Sequence, residues 1–161
     1  ELTSNEAELA GILAHEIVHV VEQHHLNAMK QSAGVDLLRT VGAIAASTTG
    51  NDTVATVLNS DLTDFAKKLY TSGLDKSDEY EADLHGVVLA ARAGYDPYGL
   101  PAVLYKINAI QDESSAFSLM FATHPKTDSR LDNLQTSMLE PMAPYEAQAT
   151  LDERFATELQ L

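Results

Sequence analysis

Four of the six histidines of this chain lie in the stretch HEIVHVVEQHH, residues 15–25, and two of them are spaced to share one metal ion. His15 and His19 are four residues apart, which places them about 40° apart on one face of a helix. Glu16 is rotated by about 100° from His15, so its carboxylate can hold a water beside the ion without displacing it. H-E-x-x-H is the arrangement in which the two histidines bind zinc and the glutamate acts as a general base.

A catalytic zinc needs a third protein ligand, and the chain contains no cysteine to provide it. His25 stands where one class of zinc proteases has its last ligand, in H-E-x-x-H-x-x-G-x-x-H. In this chain, however, the glycine of that pattern is replaced by Glu22, a good helix former. If the helix continues, His24 and His25 lie about 140° and 240° from His19 and face away from the metal. Glu22 itself lies on the same side of the helix as His15 and His19, but one turn too far along to reach the same ion easily.

A more distant candidate lies in DEYEADLHG, residues 78–86, where Glu79 and Asp83 fall on one face of a predicted helix. Small residues accompany that face and would let another helix approach closely: Ala82, Gly86 and Ala90. Glu79 could then reach a metal on the neighbouring helix. Asp83 could accept the free ring N–H of a zinc-bound histidine, which fixes the tautomer and orientation of that ring. The alternative is that Glu79, Glu81 and Asp83 form an ordinary solvated face.

Taken together, these motifs resemble the HtpX and CAAX prenyl endopeptidase family of zinc metallopeptidases, and most of all its soluble bacterial BepA-like branch. The resemblance rests on the H-E-x-x-H helix, on E-x-E-A-D-x-x-G at residues 79–86, and on two later segments, AGYDPYGLPAVLYKI and THPKTDSRLDNL. It implies that Glu79 is the third ligand of one Zn²⁺ per chain and that Asp83 is the aspartate of the family's E-x-x-A-D motif.

The resemblance also directs attention to His124 and Arg130, in the last of these segments. In the BepA-like branch, the matching histidine is a removable fourth ligand that keeps the enzyme latent. The chemistry leaves a second role open for His124, as a donor to the oxyanion that develops during peptide hydrolysis. The alternative without a catalytic role is that His124 only leads into the next helix and is held in place by Pro125. For Arg130 we expect an ion pair with an acid that supports this loop, or a contact with a substrate carboxyl group.

Helical periodicity extends over nearly the whole chain, so we predict a mainly α, single domain over residues 1–161. An active-site helix is expected at about 4–30 and a third-ligand helix at about 77–93, closed by Gly94. Five further segments are predicted: helices at about 35–47, 53–71, 98–111, 127–139 and 144–160. Family members carry a sheet region before the active-site helix, and this chain begins at the N-cap of that helix. We therefore expect the helical portion of an α+β zincin whose upstream sheet region is missing.

Composition restricts the partners of the chain. A net charge of −14 disfavours nucleic acid and anionic lipid, because phosphates are repelled. Thr40–Asn51 is the longest uncharged run that could suggest a membrane segment, and it is too short to cross a bilayer. Membrane contact is left open, but no spanning helix is predicted, and no oligomeric state is predicted either.

The leading hypothesis is a zinc-dependent endopeptidase that acts on protein or peptide substrates. The resemblance implies quality control of misfolded or misassembled envelope proteins, in the bacterial periplasm or cell envelope, with a signal sequence upstream. The alternative is a latent or non-catalytic chaperone or binding module that retains a structural zinc. A third hypothesis is an all-helical interaction domain without metal.

Overall fold

A computed structural model describes residues 2–28, 30–31, 74–109, 124, 128–138 and 140–159 of the chain. Five α-helices lie wholly within these ranges: α1 (Glu6–Val21), α2 (Lys76–Arg92), α3 (Gly99–Ala109), α4 (Asp128–Met138) and α5 (Asp152–Leu159). Within these ranges there is no β-strand, and the single β-bridge, between Tyr95 and Ala149, is isolated. The mainly helical prediction is confirmed for this part of the chain. The predicted helices at 35–47 and 53–71 lie outside the described residues.

The start of α1 is held by a capping arrangement. The side chain of Asn5 accepts the backbone N–H of Glu8 at 2.8 Å, as in one half of a capping box. The carboxylate of Glu8 reaches back to the N–H of Ser4, at 2.7 Å, instead of that of Asn5. Lys106 of α3 donates to the same carboxylate at 2.6 Å, so this cap also ties α3 to the start of α1.

The end of α1 differs from the prediction of one helix over residues 4–30. The helix ends at Val21, and Gln23 adopts a left-handed backbone conformation with φ of 58°. Residues 24–28 then form a separate helical segment. Local propensity differences of a few tenths of a kcal/mol per residue are easily outweighed by burial of a side chain. Here His24 becomes buried, so the good helix former Glu22 does not carry the helix onward.

The packing of α1 against α2 confirms the predicted role of the small residues. A Cβ atom added to Gly86 would lie 3.0 Å from both the N and the Cα of His15. Ala82 and Ala90 are buried on the same helix. The backbones of α1 and α2 therefore approach each other closely at the level of the H-E-x-x-H motif.

The apolar core lies mainly between α2, α3 and α4. Its buried cluster consists of Val87, Ala91, Leu100, Leu104, Leu134, Met138 and Met142. The predicted helix over residues 144–160 is wrong in its first half. Leu151 has a left-handed φ of 61°, and Thr150 accepts the N–H of Ala7, so the helix begins only at Asp152.

None of the helices in the described ranges combines the length and apolarity that a bilayer crossing requires.

The close contact at Gly86 gives a direct test of this packing. Gly86→Val should lower the free energy of unfolding in urea by roughly 1–3 kcal/mol, because the new side chain meets the backbone of His15. The matched control is Ala93→Val, at the exposed end of α2. If both variants lose the same stability, the close approach of the two helices is not what stabilises this region.

Candidate metal centre

Four side chains from three parts of the chain converge beside the α1–α2 contact. His15 and His19 project from α1, Glu79 from the first turn of α2, and His124 from the segment before α4. One donor atom from each of these residues lies within 4.8 Å of the other three. The Nε2 atoms of His15 and His19 are 2.9 Å apart, and they lie 3.7 and 3.5 Å from the carboxylate oxygens of Glu79.

The chemistry of this donor set fits zinc. Two imidazole nitrogens and one carboxylate are a common set of protein ligands for a catalytic zinc, and they leave a fourth position free. His15, His19 and Glu79 are buried, so water does not compete with them freely. Burial lowers the pKa of His19 to about 3, helped by the charges of the surrounding histidines, so its ring is neutral at physiological pH. A neutral ring keeps the lone pair that a metal needs.

Asp83 lies beside the other ring nitrogen of His15. Its Oδ1 is 3.0 Å from Nδ1 of His15, although the ring N–H does not point straight at the oxygen. Such a contact favours a proton on Nδ1 of His15. The lone pair on Nε2 is then free to bind a metal on the side of His19 and Glu79. The structure thus places Asp83 beside a candidate ligand on its second ring nitrogen.

Arg130 connects the two carboxylates of α2. Its Nε and Nη2 donate to the two oxygens of Asp83 at 2.8 and 2.6 Å, and its Nη1 lies 2.8 Å from Oε2 of Glu79. Burial alone would raise the pKa of Asp83, but the hydrogen bonds from Arg130 and the adjacent ring of His15 lower it. Asp83 therefore remains charged at neutral pH. Arg130 pairs with acids, as expected, and those acids belong to the centre itself.

Glu16 and His124 face each other at the open side of the centre. The side chain of Glu16 is 48% exposed, and its Oε1 lies 3.5 Å from Nε2 of His124. Nδ1 of His124 is 2.9 Å from Oε1 of Glu79. The ring of His124 is also 5.3 Å, between centroids, from those of His15 and His19. His124 thus lies between the candidate general base and the three candidate ligands.

The position of His24 differs from the prediction. An uninterrupted helix turns His24 away from His19, but Nδ1 of His24 lies 2.9 Å from Nδ1 of His19. The left-handed conformation of Gln23 turns the chain back, and helix geometry extrapolated from α1 could not reveal it. His25 is exposed and does not belong to the four-residue donor group.

A second group of potential ligands lies nearby on the surface. Glu22, Glu81 and His85 also have donor atoms within 4.8 Å of one another, but all three are exposed. Exposed carboxylates are well hydrated and do not by themselves define a metal site. Among the described residues, the buried group around His15 is therefore the candidate centre.

The match to peptidase family M48 covers residues 1–138, and the chain belongs to this family. The relationship predicted from the H-E-x-x-H and E-x-x-A-D motifs is thereby confirmed.

Among named relatives, the chain is similar to the beta-barrel assembly-enhancing protease of Yersinia pestis, with 30% identity over 157 residues. That match covers 96% of this chain and 32% of the relative. Metalloprotease LoiP of Escherichia coli (strain K12) is 27% identical over 137 residues, which cover 85% of this chain and 51% of LoiP. The chain therefore spans about a third of the first relative and about half of the second. No solved structure matches the chain.

The buried ion-pair network can be tested through Arg130. Arg130→Met, measured by urea unfolding with a chelator present, should lower the free energy of unfolding by about 3–5 kcal/mol, because Asp83 is left charged and unpaired. Arg154 offers a matched control, since it also pairs with a carboxylate, that of Glu6, but on the surface. Arg154→Met should change stability little. Equal losses in the two variants would contradict a stabilising role for the buried network.

Proposed function

We propose that this chain is the catalytic domain of a zinc-dependent endopeptidase. The observation that carries the proposal is the convergence of His15, His19 and Glu79 from two helices, with Glu16 half exposed beside them. Membership of peptidase family M48 supports the same activity. One Zn²⁺ per chain would be held by these three ligands.

Zinc bound here would supply a Lewis acid that activates water and polarises the peptide carbonyl. Glu16 then has the role of general base. Its carboxylate accepts the proton of the attacking water and later passes that proton to the leaving nitrogen. The exposure of Glu16 suits this role, because a substrate must reach the same side of the centre.

For His124, we propose the role of a removable fourth ligand. Its donor atom lies within the same 4.8 Å group as those of the three ligands, and its Nε2 faces Glu16. A ring in that place occupies the position that water needs, so the domain would be latent until His124 moves aside. Asp83 and Arg130 would hold His15 and Glu79 in the geometry that binds zinc.

The proposed substrates are proteins or peptides in the bacterial cell envelope. The names of the similar proteins support this setting, because one of them is a beta-barrel assembly-enhancing protease. A role in quality control of misfolded or misassembled envelope proteins in the periplasm is the corresponding proposal.

A second candidate function is a latent or non-catalytic binding module that retains a structural zinc. The observation that favours it is again His124, which lies over the ligands and next to Glu16. Chelator-sensitive cleavage of casein by this chain, or by a longer chain that includes its upstream region, would distinguish an enzyme from such a module.

The role of Glu16 is tested by Glu16→Gln. We expect the rate of peptide cleavage to fall by about 10²- to 10⁴-fold, because the general base is lost, while zinc stays near one per chain. Glu22→Gln, at the residue that follows the end of α1, changes an exposed glutamate and should leave the rate unchanged. Undiminished cleavage by Glu16→Gln would refute the proposed mechanism.

The role of His124 is tested by His124→Ala. If the ring blocks the fourth position, its removal should raise the rate of cleavage of a fluorogenic peptide. A fall in kcat at unchanged zinc content would instead assign His124 to the stabilisation of developing negative charge.

A further inference from the structure

His24 has no part in the proposed mechanism, yet the structure places it against the metal centre. It is only 4% exposed, and its Nδ1 lies 2.9 Å from Nδ1 of His19. Its other ring nitrogen, Nε2, lies 3.4 Å from Oε2 of Glu81 on α2. His24 therefore links the second ring nitrogen of a candidate ligand to a carboxylate on the neighbouring helix.

The positions of the ring protons follow from the positions of the nitrogens. At 2.9 Å, one of the two Nδ1 atoms must donate and the other must accept. Nε2 of His19 faces His15 and Glu79, so a neutral His19 that binds metal through Nε2 carries its proton on Nδ1. It then donates to Nδ1 of His24. The proton of a neutral His24 consequently lies on Nε2, which faces Glu81.

We propose that His24 is a positioning residue of the zinc centre, which accepts the Nδ1–H of His19 and in turn donates to Glu81. The inference rests on the proposed zinc site. In this proposal Asp83 orients the ring of His15, and His24 together with Glu81 orients the ring of His19. Outer hydrogen bonds of this kind fix the tautomer and orientation of a metal-binding ring.

Two arms of outer contacts hold the histidines of the centre: Asp83 for His15, and His24 with Glu81 for His19. These two arms differ in strength. Asp83 is fully buried and held by Arg130, whereas the side chain of Glu81 is 46% exposed and its contact with His24 is longer. The acceptor for His19 is a ring nitrogen of His24, whereas the acceptor for His15 is a carboxylate oxygen of Asp83. Both arms end on α2, which also carries Glu79, so one stretch of helix supplies a ligand and orients both histidines.

Zinc affinity measured by competition with a chelator tests this role. His24→Phe keeps the ring size but removes the acceptor, and we expect zinc to bind about 10- to 100-fold more weakly. His24→Asn places its side-chain oxygen near the former Nδ1 and should restore most of the affinity. His25→Phe changes the exposed neighbour and should bind zinc as wild type does. Equal affinity in His24→Phe and wild type, or equally weak binding in His24→Phe and His24→Asn, would overturn the proposal.

Nitrogen NMR of the histidine rings provides a second readout that does not depend on any variant folding. In wild-type protein loaded with zinc, we expect the proton of His19 on Nδ1 and that of His24 on Nε2. A proton on Nδ1 of His24 would overturn the proposal even if zinc binds normally. Failure of the wild-type chain to bind zinc would overturn both the zinc site and the role of His24, so the two failures are distinguishable.

Discussion

The metal centre depends on the close approach of α1 and α2 at Gly86. The backbone of His15 lies only 3.0 Å from the place that the Cβ of any other residue at position 86 would take. Asp83 and Glu79 lie earlier on the same face of α2, and the contact brings them within reach of the two histidines of α1. A wider helix separation would separate all of these donors at once. Packing and chemistry are therefore determined by the same few small residues.

Charge imposes the second constraint on the centre. Glu79 and Asp83 are buried carboxylates, and one guanidinium, that of Arg130, pairs with both. Two negative charges and one positive charge leave the group with a net charge of −1 when the histidines are neutral. Burying an incompletely neutralised group is costly, and a bound cation offsets that cost. The ion pairs of Arg130 therefore offset only part of the cost of burying the two carboxylates. The negative charge that remains favours the binding of a metal cation.

Periodic features of the sequence predict much of this arrangement. The four-residue spacing of His15 and His19, and the small residues around Gly86, predict which faces of the two helices meet. Features that depend on a single unusual backbone conformation are not predictable in this way. Gln23 and Leu151 both adopt left-handed conformations without being glycine, so nothing in their residue types announces a break. The predicted long first and last helices fail at these two residues.

The consequences of that break extend to the site. Because Gln23 turns the chain, His24 lies against His19, where an uninterrupted helix would have carried it away. The contact of His124 with Glu79 is likewise a property of the tertiary structure, since the two residues belong to separate segments of the chain. Only the residues on regular helices could therefore be placed by counting along the sequence.

The central claim is that the third ligand comes from α2 and not from the histidines that follow the H-E-x-x-H motif. Anomalous diffraction at the zinc absorption edge, from crystals of the chain grown with equimolar zinc, locates the ion directly. We predict one strong peak in contact with His15, His19 and Glu79. A peak at the exposed group of Glu22, Glu81 and His85, or one bound by His25 without Glu79, would contradict it.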